Sequence, residues 1–354
     1  MLVKQRDLEW DFIKCILMFL IIFGHLCPAS ESWTPVTRII GLFVIPGFFF
    51  VSGYFQSCIR NFMDLIGKFR KTLMRIVAPM FTWGTIYVLV TLIIMINNGK
   101  IIDRNSLLQY LKYYPLYVAG IFWFLTALLF CIVIGSFLSW SIEISKEKGM
   151  IIALLTPFCF CMMSPVFIER YHFSFVWLFY LIGMLYKKTE CFSIVSSNKE
   201  WSYLFLLFLF GVSIFIGVFF EPHYSFYYTD NTIGKSTFGF VVCRYLLYIA
   251  ATGPVLYGLM AFYKRYKKAK IVHMLALMGS DTFFVYCSHV LVLVFVYRPF
   301  ILPHLYHEEG NWYVRIMEHI EGLLASVVLY GLMQMLCSYC KQFKWMKVVF
   351  MGTN

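Results

Sequence analysis

Three ionisable side chains, Asp11, Lys14 and His25, stand inside one apolar stretch near the start of the chain. At 100° per residue, the step from Lys14 to His25 leaves the two about 20° apart around a helix, and Asp11 and His25 about 40° apart. All three therefore share one stripe, with Lys14 and His25 about 16 Å apart along the axis. Imidazole titrates near neutral pH and can take a proton from a substrate. A cation on the same face can hold the charged part of an anionic ligand. The stripe thus supports general-base chemistry with His25 as the base. It equally supports an i,i+3 ion pair of Asp11 and Lys14 at a membrane edge, with His25 hydrogen-bonded to a neighbouring helix.

Other residues along the chain invite the same two-sided reading. Lys68-Phe69-Arg70-Lys71-Thr72-Leu73-Met74-Arg75 clusters cations ahead of Pro79. Such a cluster can recognise phosphate, with Lys71 and Arg75 as candidates, or can be a basic loop that sets topology. Ser52, in Ile45-Pro46-Gly47-Phe48-Phe49-Phe50-Val51-Ser52-Gly53-Tyr54, could bond across helices, while Pro46, Gly47 and Gly53 permit a kink or close packing. Trp123, in Phe122-Trp123-Phe124-Leu125, reads as an interfacial anchor or a pocket wall. Tyr286 and His289 share a helix face as an i,i+3 pair, either a structural hydrogen bond or part of a site. Ser280-Asp281 reads as the start of that helix.

The elements that must hold these residues follow from composition. Of 354 residues, 61% are hydrophobic, 20% aromatic and only 14% charged, against roughly 25% charged in an ordinary soluble domain. So few charges cannot cover the surface of a water-soluble globule of this size, and mean hydropathy is +0.75. Apolar runs of about 20 residues, the length that spans a bilayer, recur throughout. They predict an all-α, polytopic membrane helix bundle of about ten transmembrane helices: 11–29, 39–58, 76–96, 117–139, 149–166, 173–187, 201–220, 239–262, 279–299 and 321–340. No loop is long enough for a separate soluble domain, so residues 1–354 read as one integral membrane domain. The loops near 221–238 and 300–320 could hold a short helix or lid.

Twenty of the thirty Lys and Arg fall on one set of flanks and nine on the other, with Lys14 inside the first span. The positive-inside rule then puts both termini in the cytoplasm. The same distribution accounts for the net charge of +12 and argues against nucleic acid as a partner. Most of the eleven Cys sit in apolar runs, and Cys337–Cys340 has no second pair to complete a zinc site, so no metal is expected. Asp7, Glu9, Asp11 and Lys14 mix signs where a cleavable signal peptide would be basic then apolar.

Taken in order, four of these segments resemble acyltransferase family 3, integral membrane sugar O-acyltransferases, and in particular the group similar to fucose 4-O-acetylase. The segments are the Lys14-to-His25 stripe, the Phe49-Phe50-x-Ser52-Gly53-Tyr54 run, Trp123-Phe124-Leu125, and the Ser280, Tyr286, His289 run. The resemblance covers almost the whole chain. It implies a bacterial inner-membrane, multi-pass O-acyltransferase, most often an O-acetyltransferase. The donor would be cytoplasmic acetyl-CoA or another acyl-CoA, with no bound cofactor. The acceptor would be a hydroxyl of a surface polysaccharide sugar or its lipid-linked precursor. His25 would deprotonate that hydroxyl, Lys14, Lys71 and Arg75 would hold the donor, and Asp11 would position Lys14. Ser52, Trp123, Tyr286 and His289 are further pocket candidates. Two positions depart from the family pattern: Lys14 where many relatives have Arg, which loses the bidentate fork, and Thr72 where many have the first Arg of an Arg-x-x-Arg pair. Arg70 or Lys71 can substitute for the latter.

The alternative is a transporter or flippase of lipid-linked sugars, which also buries charges among many spans. Such proteins typically show internal repeats with broken helices in matching halves, a pattern this sequence lacks. A polysaccharide polymerase would be expected to carry a long extracytoplasmic loop.

Overall fold

The computed structural model describes residues 7–26, 35–97, 99, 104–162, 173–189, 199–219, 238–296 and 312–352. Every regular element among them is helical: α1 (Leu8–Leu26), α2 (Pro35–Tyr54), α3 (Phe62–Thr72), a π-turn (Leu73–Val77), α4 (Ala78–Asn97), α5 (Arg104–Ile121), α6 (Trp123–Ile144), α7 (Lys146–Met162), α8 (Phe173–Thr189), α9 (Lys199–Phe219), α10 (Phe238–Tyr266), α11 (Lys270–Met278), a 3-10 turn (Gly279–Asp281), α12 (Thr282–Val292), α13 (Trp312–Cys340) and α14 (Lys344–Met351).

Six described stretches are long and apolar enough to cross a membrane: Val36–Tyr54, Phe62–Asn97, Trp123–Ile144, Tyr245–Tyr266, Lys270–Val296 and Met317–Cys340. Phe175–Lys187 and Leu204–Ile216 are shorter apolar helices. The ten expected stretches overlap helices, but 39–58 runs past the end of α2 at Tyr54, and six of the described stretches, not ten, have the length and hydropathy of a span; the chain is a helical membrane protein. The ends at 27–29, 163–166, 220 and 297–299 lie outside the described residues, as do 221–237 and 300–311 of the expected loops. Rows of large apolar side chains face outward at helical spacing, such as Leu204, Leu207 and Phe208 on α9 and Leu324, Val328 and Leu332 on α13. Lipid is the solvent that such a surface suits.

The structure corrects several boundaries. Residues 117–121 belong to α5, not to the following span, because the helix breaks at Phe122 (φ −101°, ψ 43°) and restarts at Trp123. The Thr126 hydroxyl reaches back over the break to the Ala119 carbonyl at 3.0 Å, satisfying an acceptor the break leaves over. Residues 312–320 are helix, so α13 begins well before 321. The helix after Asp281 does start where Ser280-Asp281 suggests, but the Asp281 carboxylate does not cap it. It binds Lys341 Nζ at 2.6 and 2.7 Å instead, tying α12 to the end of α13.

α1 is the axis of the bundle, packed against α2, α10, α11, α12 and α13. In lipid no water drives helices together, so close packing of small residues must do so. At Gly279 a side chain would collide with the Asp11 backbone, so α1 meets the 3-10 turn backbone to backbone. Gly53 and Gly183 do the same for α2 and α8: a Cβ on either would run into a carbonyl of the other helix, Tyr180 O or Phe50 O. Beside that contact the buried Tyr180 hydroxyl donates to Gln56 Oε1 at 2.7 Å, and Gln56 Nε2 donates to Ser136 Oγ at 3.1 Å. This chain of bonds fixes α2, α6 and α8 together.

Candidate active site

The candidate residues gather at two ends of α1. His25 is on its last turn, and its ring is exposed. His289, from α12, lies against it, with ring centroids 5.7 Å apart and planes 31° apart. His289 is buried, at 3% exposure, and its Nδ1 contacts the Tyr286 carbonyl of its own helix. A carbonyl only accepts, so Nδ1 carries the hydrogen, and in the neutral ring Nε2 holds the basic lone pair. Two imidazoles therefore adjoin, one exposed and one held in a defined tautomer.

A wall of aromatic rings continues from this pair. The ring of Tyr286 lies 5.2 Å from His289 and 5.1 Å from Phe124, and Phe124 lies 4.9 Å from Phe49. Phe122 also approaches Tyr286, at 6.4 Å, and Trp123 stands edge-on to Phe124 at 6.2 Å. The α5–α6 break turns Phe122 and Phe124 toward α12. Segments far apart in sequence thus meet: the end of α1, the Phe-Phe run of α2, the start of α6, and the Tyr–His pair of α12. Ser52 belongs to the same run, but its hydroxyl donates to Phe48 O at 2.8 Å within α2. Its hydrogen is therefore spent on its own helix.

At the other end of α1, Lys14 Nζ lies 2.6 Å from the buried Asp11 carboxylate, so the i,i+3 pair forms. The same ammonium stands 5.7 Å from the centre of the Phe55 ring. Lys187, from the end of α8, stands 5.5 Å from the ring of Tyr54, and Tyr54 packs on Trp10 at 4.5 Å. Cations and rings from α1, α2 and α8 meet here. A short link joins the end of α2 to α3, and the basic segment of α3 and the π-turn follows from this same end.

Lys71 and Arg75 are both exposed, Arg75 on the π-turn. The cause of that turn is legible: Pro79 has no N–H for the Arg75 carbonyl, and its ring crowds that oxygen. The chain widens, and Ala78 N–H bonds Leu73 O, five residues back. Such turns are frequent at functional sites. Thr72 is buried, its hydroxyl donating to Lys68 O at 2.9 Å, so it presents nothing outward. Arg70 and Lys71 are the exposed cations beside it.

Sequence reasoning named His25 and His289 separately and did not bring them together. It also missed Lys187, since its place over Tyr54 depends on a contact between helices remote in the chain. Pro79, four residues after Arg75, was the available signal for the π-turn.

A family model described as an acyltransferase domain matches residues 7–340. Over 134 residues the chain is 31% identical to the nodulation protein NolL of Mesorhizobium japonicum, which takes in 35% of this chain and 34% of that protein. The chain thus spans about a third of the length of that curated relative. No solved structure matches it.

Proposed function

The chain belongs to the acyltransferase family whose model spans residues 7–340, and from that premise we propose that it is a membrane O-acyltransferase. It moves an acyl group, acetyl in the first instance, from cytoplasmic acyl-CoA to a hydroxyl of a surface polysaccharide sugar or its lipid-linked precursor. In this reading residues 1–354 form one domain of about ten spans in the bacterial inner membrane, with both termini cytoplasmic. The basic end of α1 faces the cytoplasm. Lys14, Lys71 and Arg75 receive the phosphates of the donor there, and Asp11 orients Lys14.

His25 works at the opposite end. It takes the proton of the acceptor hydroxyl as the oxygen attacks the thioester carbonyl. The C–S bond then breaks, and the proton passes from His25 to the departing thiolate. His289 supports the imidazole of His25 through the cycle, and Tyr286, Phe124 and Trp123 wall the pocket. The observation that carries this reading is the contact of His25 with His289, at the junction of all four segments of the family resemblance.

The test is transfer of radiolabelled acetyl from acetyl-CoA to glycan or lipid-linked sugar in membranes holding wild type or His25→Ala at matched protein level. Label transferred by wild type and lost in the variant supports the reading. Transfer by both returns His25 to a structural role, and transfer by neither, with several donors and acceptors tried, favours a transporter.

A further inference from the structure

We propose that α14 belongs to the donor-binding machinery: Gly352 and Phe350 are positioning residues that hold the π-turn carrying Arg75. The proposal rests on the reading of Arg75 as a donor ligand.

α14 turns Met346, Phe350 and Met351 against the core while Trp345 faces outward. It is fastened at two points. The Trp83 indole N–H donates to Phe350 O at 3.1 Å, and the rings of Trp83 and Phe350 lie 5.3 Å apart. Trp83 also packs edge-on against Phe284 of α12 at 5.3 Å, so the anchor is itself anchored. The second point is Gly352, which ends α14 in the left-handed region at φ 62° and donates its N–H to Val348 O at 3.2 Å. Glycine is required there twice over. The positive φ disfavours any side chain, and a Cβ would collide with the Cα, C and O of Arg75.

The π-turn is a wide, weakly preferred conformation. A backbone pressed against it on the side of the Arg75 carbonyl limits how far it can relax. The exposed guanidinium then projects from a fixed base. A preorganised ligand loses less freedom on binding, so the clamp acts on donor affinity and leaves the proton chemistry at His25 alone.

The experiment measures binding of tritiated acetyl-CoA to the full chain, purified and monodisperse in detergent, for wild type, Arg75→Ala, Gly352→Ala and Trp83→Phe. Trp83→Phe keeps an aromatic six-membered ring and loses the N–H to Phe350 O together with the pyrrole part of the indole, so it loosens the clamp from the Trp83 side even where Gly352→Ala lowers the yield of folded protein. Expected are dissociation constants raised roughly 5–30-fold in Gly352→Ala and in Trp83→Phe, the range that one or two kcal/mol produces. If Arg75→Ala weakens binding and neither clamp variant does, the clamp is overturned and the donor reading of Arg75 stands. If Arg75→Ala binds normally, or wild type does not bind acetyl-CoA, the donor reading fails and takes the clamp with it.

Discussion

His25 and His289 place their rings 5.7 Å apart, yet they come from helices near opposite ends of the sequence. One imidazole is exposed and one buried, and the buried one has its Nδ1 engaged by the Tyr286 carbonyl. If they act as a unit, their losses must not add. His25→Ala should lower turnover about 10²–10⁴-fold, His289→Ala should lower it less, and the double variant should be no worse than His25→Ala. A double-mutant cycle on acetyl transfer rates checks this; additive losses would mean the rings act independently.

Lys14 and Asp11 need a test that separates stability from binding. The Asp11 side chain is 5% exposed and that of Lys14 24%. Breaking a buried pair costs about 3–5 kcal/mol, and the partial exposure of Lys14 puts Lys14→Met below that range. Asp11→Leu combined with Lys14→Met should recover much of the thermal stability in detergent but not acetyl-CoA affinity. Recovery of both would leave Lys14 as no more than the counter-ion of Asp11.

The contact between α2 and α8 predicts a contrast among glycines. Gly53→Ala and Gly183→Ala each force a methyl against a facing carbonyl and should destabilise by about 1–3 kcal/mol, as overpacking does. Gly211→Ala meets nothing within 4 Å and should be neutral or mildly stabilising, since alanine is the better helix former. Thermal unfolding followed by size-exclusion chromatography reads all three.

Tyr180→Phe should cost about 1–3 kcal/mol by leaving Gln56 Oε1 buried without its donor. Replacing the whole chain of bonds, as Gln56→Leu, Ser136→Ala and Tyr180→Phe together, should be milder than the single change. The same unfolding assay decides between them.

Much of this was legible in the sequence, for identifiable reasons. Hydropathy reads the free energy of burying a helix in lipid, so helix positions were recoverable. The stripe of Asp11, Lys14 and His25 follows from helical periodicity alone. The break at Phe122 and the π-turn at Arg75 were not foreseen, because both still read as apolar helix and differ only in backbone hydrogen bonding. The pairing of His25 with His289, and of Lys341 with Asp281, required tertiary packing that no local pattern encodes. The ion pair of Lys14 and Asp11 was also legible as an i,i+3 spacing, and it suits both readings of the stripe, a pair at the membrane edge and an Asp11 that positions Lys14.

α1 carries a charged group near one end and an imidazole at the other, on a single unbroken helix. A rigid rod with two marks is a ruler. If both marks serve one donor, that molecule must reach about 16 Å from its anion to its reactive carbonyl. Acyl phosphates are too compact to touch both marks, whereas a thioester on a long flexible arm can. Donor choice would then be a matter of length before it is one of chemical recognition, and lengthening α1 by one turn should shift the preferred arm by about 5.4 Å.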